Sequence, residues 1–318
     1  LLIIKSLSDN KIELENLSHA NDTVLLKNLI RSNSQNIWDA EDAGTTMRFL
    51  TSFLAVTKQG VLLTGTERMK KRPIKILVDG LNKIGAEISY TEKDGYPPIK
   101  INRKISQIKE SISIRGDISS QYISSLLMIA PVLPNGLKID VMPPFYSKPY
   151  VMMTLNLMKK FGIKYDLSED SISINNQEYK SGSYKVESDW SAASYWYSFI
   201  SINKKLKEIK LKGLREHSFQ GDQVIKKIMT LFNVETLYDK DGIILRKKDF
   251  DCDYLELDFK DCPDLAQTVL VVAAFHKVKL KLYGVESLKI KETDRLKAMS
   301  NELKKIGVNF YDDNGIWT

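Results

Sequence analysis

Four stretches of this 318-residue chain open in small, hydroxyl or acidic residues and then turn almost wholly apolar, and they recur at a nearly fixed distance. They begin at Gly44-Thr45-Thr46-Met47-Arg48, Ser119-Ser120-Gln121, Ser191-Ala192-Ala193-Ser194 and Pro263-Asp264-Leu265-Ala266. Thr45, Ser119, Ser191 and Pro263 stand 74, 72 and 72 residues apart. Such self-similarity marks a structural unit repeated along the chain. A helix that is apolar all round is a buried one, so these four are expected in the core. Between them lie segments of a second kind, Ile76 to Tyr90, Leu155 to Ile174, Val224 to Leu245 and Leu296 to Trp317. Each reads as helix, turn (Gly85, Gly162, Asn233, Gly307), short strand, polar hairpin, strand. Gly or Asn after a lysine-rich last turn is a helix stop, because either tolerates the left-handed conformation. Asp241-Gly242 and Asp313-Asn314-Gly315 supply hairpin chemistry. The repeat is therefore a βαβαββ unit with one buried and one amphipathic helix, and the fold class is α/β (α+β).

Buried helices packed in register bring their N-termini to a common end, where free N–H groups and aligned dipoles favour phosphate or carboxylate. Taken singly, Ser and Thr there are ordinary N-caps. Four in register, with Arg48, Gln121 and Lys148 close in sequence, favour a shared anion site. Charge agrees: 47 Lys and Arg exceed 40 Asp and Glu, leaving +7. The basic residues are scattered and no basic tract is interleaved with aromatics, so a nucleic-acid partner is not expected. Two cysteines, Cys252 and Cys262, make no disulfide framework, and His19, His217 and His276 have no metal-ligand spacing. A reducing cytoplasm is expected, and no metal. The longest apolar run, Thr268 to Phe275, is too short to span a bilayer. Gly80 and Gly85 have P-loop-like spacing, but Ala86 stands where Lys is required, which rejects a nucleotide site.

A dense charged block, Lys291-Glu292-Thr293-Asp294-Arg295-Leu296, stands at the mouth of the last helix. Helical spacing would put Lys291, Glu292 and Arg295 on neighbouring faces. Read alone it is a solvated helix start with internal ion pairs; beside the repeat it is a candidate for binding and turning over an anion.

These residues carry a resemblance to the 5-enolpyruvylshikimate-3-phosphate synthases, the 3-phosphoshikimate 1-carboxyvinyltransferases. It rests on the order and spacing of Ala43 to Arg48, Leu63-Thr64-Gly65, Arg68 to Ile74, Ser119 to Tyr122, Ser147-Lys148-Pro149-Tyr150, Ser194-Tyr195, Gln220-Gly221-Asp222, Pro263-Asp264 and Lys291 to Arg295. The resemblance implies two domains of three βαβαββ units each, forming a two-domain inside-out α/β barrel that closes on substrates at a hinge. Residues 1–186 would be most of one domain, the shikimate-phosphate side, and 187–318 most of the other. It implies transfer of the enolpyruvyl group of phosphoenolpyruvate to the 5-hydroxyl of shikimate 3-phosphate, with no cofactor or metal, by a cytoplasmic monomer. By similarity, Asp264 would be the base on the hydroxyl, and Glu292 would protonate the methylene carbon beside Lys291. Gly44, Arg72, Gln121 and Arg295 would hold phosphoenolpyruvate. Ser119, Ser120 and Ser147 would take the shikimate phosphate, Tyr150 would lie near the ring, and Ser287 would bind substrate where many relatives carry Asn. Glyphosate would compete with phosphoenolpyruvate.

The sequence also departs from the family pattern. A Ser-Lys-Ser-x-Ser-Asn-Arg block is expected before the helix tail at Leu1 to Leu7. A late Asp-His-Arg block and a following Lys are expected beyond Thr318, and the unit between Ile30 and Trp38 is abbreviated. On this reading the chain is a portion of a longer protein and, as it stands, a poor catalyst. Two other functions compete: the enolpyruvyl transferase acting on UDP-N-acetylglucosamine, which uses a loop cysteine, and a catalytically impaired anion-binding relative.

Overall fold

The structure, a computed structural model, describes residues 1–32, 36–249, 252–291, 293–313 and 315–318. Glu292 and part of the abbreviated stretch before Trp38 lie outside the described residues. The chain forms two compact units, residues 1–145 with 150–186, and residues 146–149 with 187–318.

The first unit opens with α1 (Leu2–Leu7), β1 (Ile12–Glu15) and α2 (Asn21–Arg31). A first module follows: β2 (Ile37–Asp39), α3 (Gly44–Thr57), β3 (Val61–Thr64), α4 (Lys75–Lys83), β4 (Glu87–Tyr90) and β5 (Ile99–Arg103). Its sheet runs β2-β3-β5-β4, with the β2/β3 pair parallel and the others antiparallel. The second module repeats this with β6 (Ser111–Arg115), α5 (Ser120–Ile129), β7 (Leu137–Met142), α6 (Lys148–Lys160), β8 (Asp166–Leu167) and β9 (Ser171–Ile174), in the order β6-β7-β9-β8. The buried helix of each module is the crossover that a parallel pair requires. Strand β10 (Gly182–Lys185) pairs in parallel with β1.

The second unit holds α7 (Trp190–Ile202), β11 (Glu208–Lys212), α8 (Ile225–Thr230), β12 (Val234–Asp239) and β13 (Gly242–Lys247). Because β10 is engaged with β1, this third sheet has only the strands β11-β13-β12. The fourth module, β14 (Tyr254–Asp258), α9 (Ala266–His276), β15 (Lys279–Tyr283), α10 (Arg295–Lys304), β16 (Asp312–Asp313) and β17 (Ile316–Trp317), restores the order β14-β15-β17-β16. Among the described residues every sheet is open. The helix stops behave as the sequence requires: Gly85, Gly162, Asn233 and Gly307 all have positive φ. At Gly85 a Cβ would also lie 2.0 Å from the Ser106 carbonyl oxygen, so only glycine fits.

Small hydroxyls set how the buried helices meet. Ser125 Oγ on α5 donates to the Arg48 carbonyl (2.8 Å) and shares a hydrogen bond with Ser52 Oγ (2.6 Å) on α3, and Gln121 Nε2 donates to Thr45 Oγ1 (3.0 Å). On α7 and α9, Ser194 meets Thr268 (3.1 Å) and Ser201 meets His276 Nε2 (2.9 Å). All five contacts join residues 73 to 77 apart, one repeat length, so each pair of helices is parallel with N-termini side by side. A hydroxyl buried between helices is tolerable because it is bonded.

Burial of these helices differs between the units. In the first, α1 packs against both α3 and α5, and Leu50, Leu54, Ile123, Leu126 and Leu127 are wholly buried. In the second, Tyr195, Trp196 and Phe199 of α7 and Val271 and Phe275 of α9 are exposed. All-round burial, expected for all four helices, therefore fails for α7 and α9: they cover one another and their sheets, and no described element covers their outer faces. Helix starts also shift slightly. α7 begins at Trp190 under an Asp189 cap, and Pro263–Leu265 form a 3₁₀ turn ahead of α9.

Each unit has its own core, so a core truncation should register in one unit only. Leu126→Ala is expected to cost about 2–5 kcal/mol in unfolding of the first unit. Urea titration read by probes placed in each unit checks this; equal destabilisation of both, or none, would be the contrary result.

Candidate active site

In the first unit the site is built where α3 and α5 begin. Gly44 is the first residue of α3, and it is buried. The Arg72 guanidinium lies so close that a Cβ on Gly44 would be 2.4 Å from Nη1, 2.8 Å from Nη2 and 2.9 Å from Cζ. Glycine is needed here for space, since its φ is not in the left-handed range. Beside it, the Gln121–Thr45 bond fixes Gln121 against the first turn of α3. Ser119 caps α5, its Oγ accepting from the Gln121 N–H at 3.3 Å, and Ser120 is the first helical residue. Gly44, Arg72, Ser119, Ser120 and Gln121 are thus gathered at two adjacent helix N-termini, where helix dipoles and a guanidinium both favour negative charge. Tyr150 belongs to the same unit, in the first turn of α6, where its carbonyl accepts from Thr154 Oγ1 at 3.3 Å.

In the second unit the charged block converges on Asp264. Lys291 Nζ lies 3.3 Å and Arg295 Nη1 3.1 Å from the same carboxylate oxygen, Oδ1. Arg295 Nη1 also donates to Gln267 Oε1 at 3.3 Å. Exposures of 35% for Asp264, 30% for Lys291 and 23% for Arg295 leave the cluster reachable from solvent. Lys291 and Arg295 do not share the one helical turn that was expected of them. Asp294 caps α10 by accepting from the Lys297 N–H, so Arg295 opens the helix while Lys291 stands outside it in extended backbone. The two cations meet through Asp264 instead. Ser287 is half-buried in the 3₁₀ helix Glu286–Ile290, one turn before Lys291. Ser147 groups with this unit: its N–H donates to the Lys260 carbonyl at 2.9 Å, four residues before Asp264, and Pro149 packs on Gly221. Gln267 was not anticipated from sequence, although it stands one helical turn beyond Asp264.

Thiol chemistry finds no support. Cys262 is 5% exposed, and burial, with the carboxylates of Asp222, Asp261, Asp258 and Asp264, pushes its pKa up to about 12. A protonated buried thiol is a poor nucleophile, so Cys262 does not suit the part of a catalytic loop cysteine. Among the described residues no group of three His, Cys, Asp or Glu side chains is placed to hold a metal, and no helix is long and apolar enough to cross a membrane.

A modular α/β protein with two helix N-termini and a guanidinium gathered in one unit and a carboxylate held by two cations in the other has, as a class, the features suited to small acidic molecules. The chain belongs to the EPSP synthase (3-phosphoshikimate 1-carboxyvinyltransferase) family, whose family model matches residues 1–317. It is 44% identical over 315 residues to a 3-phosphoshikimate 1-carboxyvinyltransferase of Bacteroides fragilis, covering 98% of this chain and 76% of that one. A 3-phosphoshikimate 1-carboxyvinyltransferase of Buchnera aphidicola is 40% identical over 277 residues, 86% of this chain and 63% of that one. The solved structure of EPSP synthase from Acinetobacter baumannii shares the fold, with a TM-score of 0.74 at 18% identity over 99% of this chain and 78% of that one.

Cys262 provides a direct test of this geometry. In native protein at pH 8, a thiol reagent should label Cys252, which is half-buried, and should reach Cys262 only after denaturation. Both folded and unfolded thiols hold their proton below the ordinary value of 9.0, and only the unfolded one loses it between there and about 12. Stability should therefore fall as pH rises through that window. Rapid labelling of Cys262 in the folded protein would contradict its placement.

Proposed function

We propose that this chain transfers the enolpyruvyl group of phosphoenolpyruvate to the 5-hydroxyl of shikimate 3-phosphate, releasing phosphate. The observation that carries the reading is the Arg72 guanidinium packed on Gly44 at the paired helix N-termini, in a chain of this family. In the addition step, the 5-hydroxyl oxygen bonds to C2 of phosphoenolpyruvate as C3 gains a proton and the hydroxyl loses its own. In the elimination step, the C2–O bond to phosphate breaks and C3 gives a proton back, restoring the double bond. Both steps need a base, an acid and a cationic surface that accepts the charge moving onto phosphate.

Asp264 is the base on the hydroxyl: Lys291 and Arg295 both meet its Oδ1, and a carboxylate keeps further acceptor sites for that hydroxyl. Glu292 delivers the proton to C3 with Lys291 beside it. Arg72, Gln121, Arg295 and the Gly44 backbone hold phosphoenolpyruvate. A guanidinium suits this task because it pairs bidentately with carboxylate or phosphate. Ser119, Ser120 and Ser147 take the phosphate of the sugar acid, with Tyr150 at its ring and Ser287 on the substrate. The same reading includes a two-domain inside-out α/β barrel, domains at 1–186 and 187–318, and a cytoplasmic monomer. Two adjacent helix starts, small N-cap side chains and excess positive charge all support the anionic substrates.

Two variants test the assignment. Asp264→Asn should lower kcat by about 10²- to 10⁴-fold with modest change in either KM; a loss confined to KM would refute a role in proton transfer. In Gly44→Ala the new methyl displaces only the end of a flexible arginine, so folding should be little affected. Inhibition by glyphosate should weaken by more than about tenfold and the KM for phosphoenolpyruvate should rise. An unchanged inhibition constant would show that this loop is not the phosphoenolpyruvate site.

A further inference from the structure

Behind the Arg72 guanidinium, two side chains outside the assignment above hold the backbone that carries it. Arg48, in the second turn of α3, is only 4% exposed. Its Nη1 donates to the Gly44 carbonyl at 3.1 Å, and its Nη2 donates to the Pro73 carbonyl at 3.3 Å. The first turn of α3 and the residue after Arg72 are therefore bridged by one planar group. Tyr122 of α5, 3% exposed, donates its hydroxyl to the same Pro73 oxygen at 2.7 Å. One carbonyl thus accepts from two helices, and both lone pairs are used. Met69 Sδ, 3.8 Å from Arg48 Nη1, packs on the remaining side.

Burying a guanidinium is costly, and a well-packed apolar side chain is usually no worse for stability. What Arg48 does here is specific in direction: its donors reach the two carbonyls that flank the Gly44–Arg72 contact. Burial pushes the Tyr122 phenol up while the Arg48 and Arg72 cations oppose that shift, so both guanidinium groups lie within electrostatic reach of the phenol oxygen. Flexible arginine side chains bind anions best when the backbone beneath them cannot move.

We propose that Arg48 and Tyr122 are positioning residues for phosphoenolpyruvate: they clamp the Pro73 carbonyl, in the peptide just after Arg72, so that the Arg72 guanidinium stays over Gly44, and Arg48 sets a second positive charge behind the site. This rests on Arg72 binding phosphoenolpyruvate. The clamp touches no substrate; it acts through Arg72, and it couples α3 and α5 to one loop.

The test uses the full chain with Tyr122→Phe, Arg48→Lys, Arg72→Ala and the Tyr122→Phe/Arg72→Ala double variant. Phosphate release is followed against each substrate, and thermal melts run alongside. Tyr122→Phe should raise the KM for phosphoenolpyruvate about three- to tenfold, the worth of one hydrogen bond. The KM for shikimate 3-phosphate should stay within about twofold, and the melting temperature should move by no more than about 3 °C. Arg48→Lys, which cannot bridge two carbonyls in one plane, should show a larger selective rise. In the Arg72→Ala background Tyr122→Phe should add nothing, because it acts through the lost group. Equal effects on both KM values, no effect in Tyr122→Phe, or an undiminished effect in the double variant would overturn the clamp while leaving the Arg72 assignment standing. An unchanged KM for phosphoenolpyruvate in Arg72→Ala would instead remove the assignment of Arg72 and the clamp with it.

Discussion

The first unit's site depends on one missing side chain. Because Gly44 has no Cβ, the Arg72 guanidinium can lie directly on the first turn of α3, inside the space a methyl group would fill. A cation there adds its charge to the positive end of a helix whose first N–H groups have no intrahelical partner. The neighbouring α5 contributes a second such end, and the Gln121–Thr45 bond keeps the two level. Around this site the apolar core of the unit is mostly Leu, Ile, Val, Met and Phe, and Thr46, Arg48, Thr51, Ser52, Ser124, Ser125 and Thr154 are polar residues buried with its helices.

Register between helices is what makes this possible. Hydroxyls one repeat apart in sequence meet across each buried pair, Ser52 with Ser125 and Ser194 with Thr268. A hydroxyl pair in an apolar interface fixes the axial offset, since sliding either helix would strand two buried polar groups. The N-termini therefore align in both units, but different side chains gather at them. In the second unit residues at the starts of α9 and α10 supply a carboxylate and its cations, and Asp264 is shared between Lys291 and Arg295.

Much of this was legible in the sequence. The period of 72 to 74 residues fixed the number and type of elements, and Gly85, Gly162, Asn233 and Gly307 marked the helix ends because backbone conformation there is local chemistry. The resemblance put Gly44 and Arg72 around one ligand and Asp264, Lys291 and Arg295 at the site, but not the direct contacts among them, since contacts across 27, 28 or 31 residues leave no periodic signal. Three further features were not legible. Asp294 caps its helix and splits the charged block; the capping residue was visible, but its precedence over a continuous turn was not. The exposed outer faces of α7 and α9 follow from what packs on them, which composition alone does not reveal. The Pro73 carbonyl as a shared acceptor for Arg48 and Tyr122 is a backbone contact, and no side-chain pattern announces it.

The central claim is that these clusters recognise shikimate 3-phosphate and then an analogue of phosphoenolpyruvate. Isothermal titration of the chain with shikimate 3-phosphate, alone and then in the presence of glyphosate, measures that most directly. The account predicts heat of binding for the sugar phosphate and a tighter dissociation constant once glyphosate is present, because the second anion completes the cationic site. Absence of heat with both ligands, in protein shown to be folded, would contradict it.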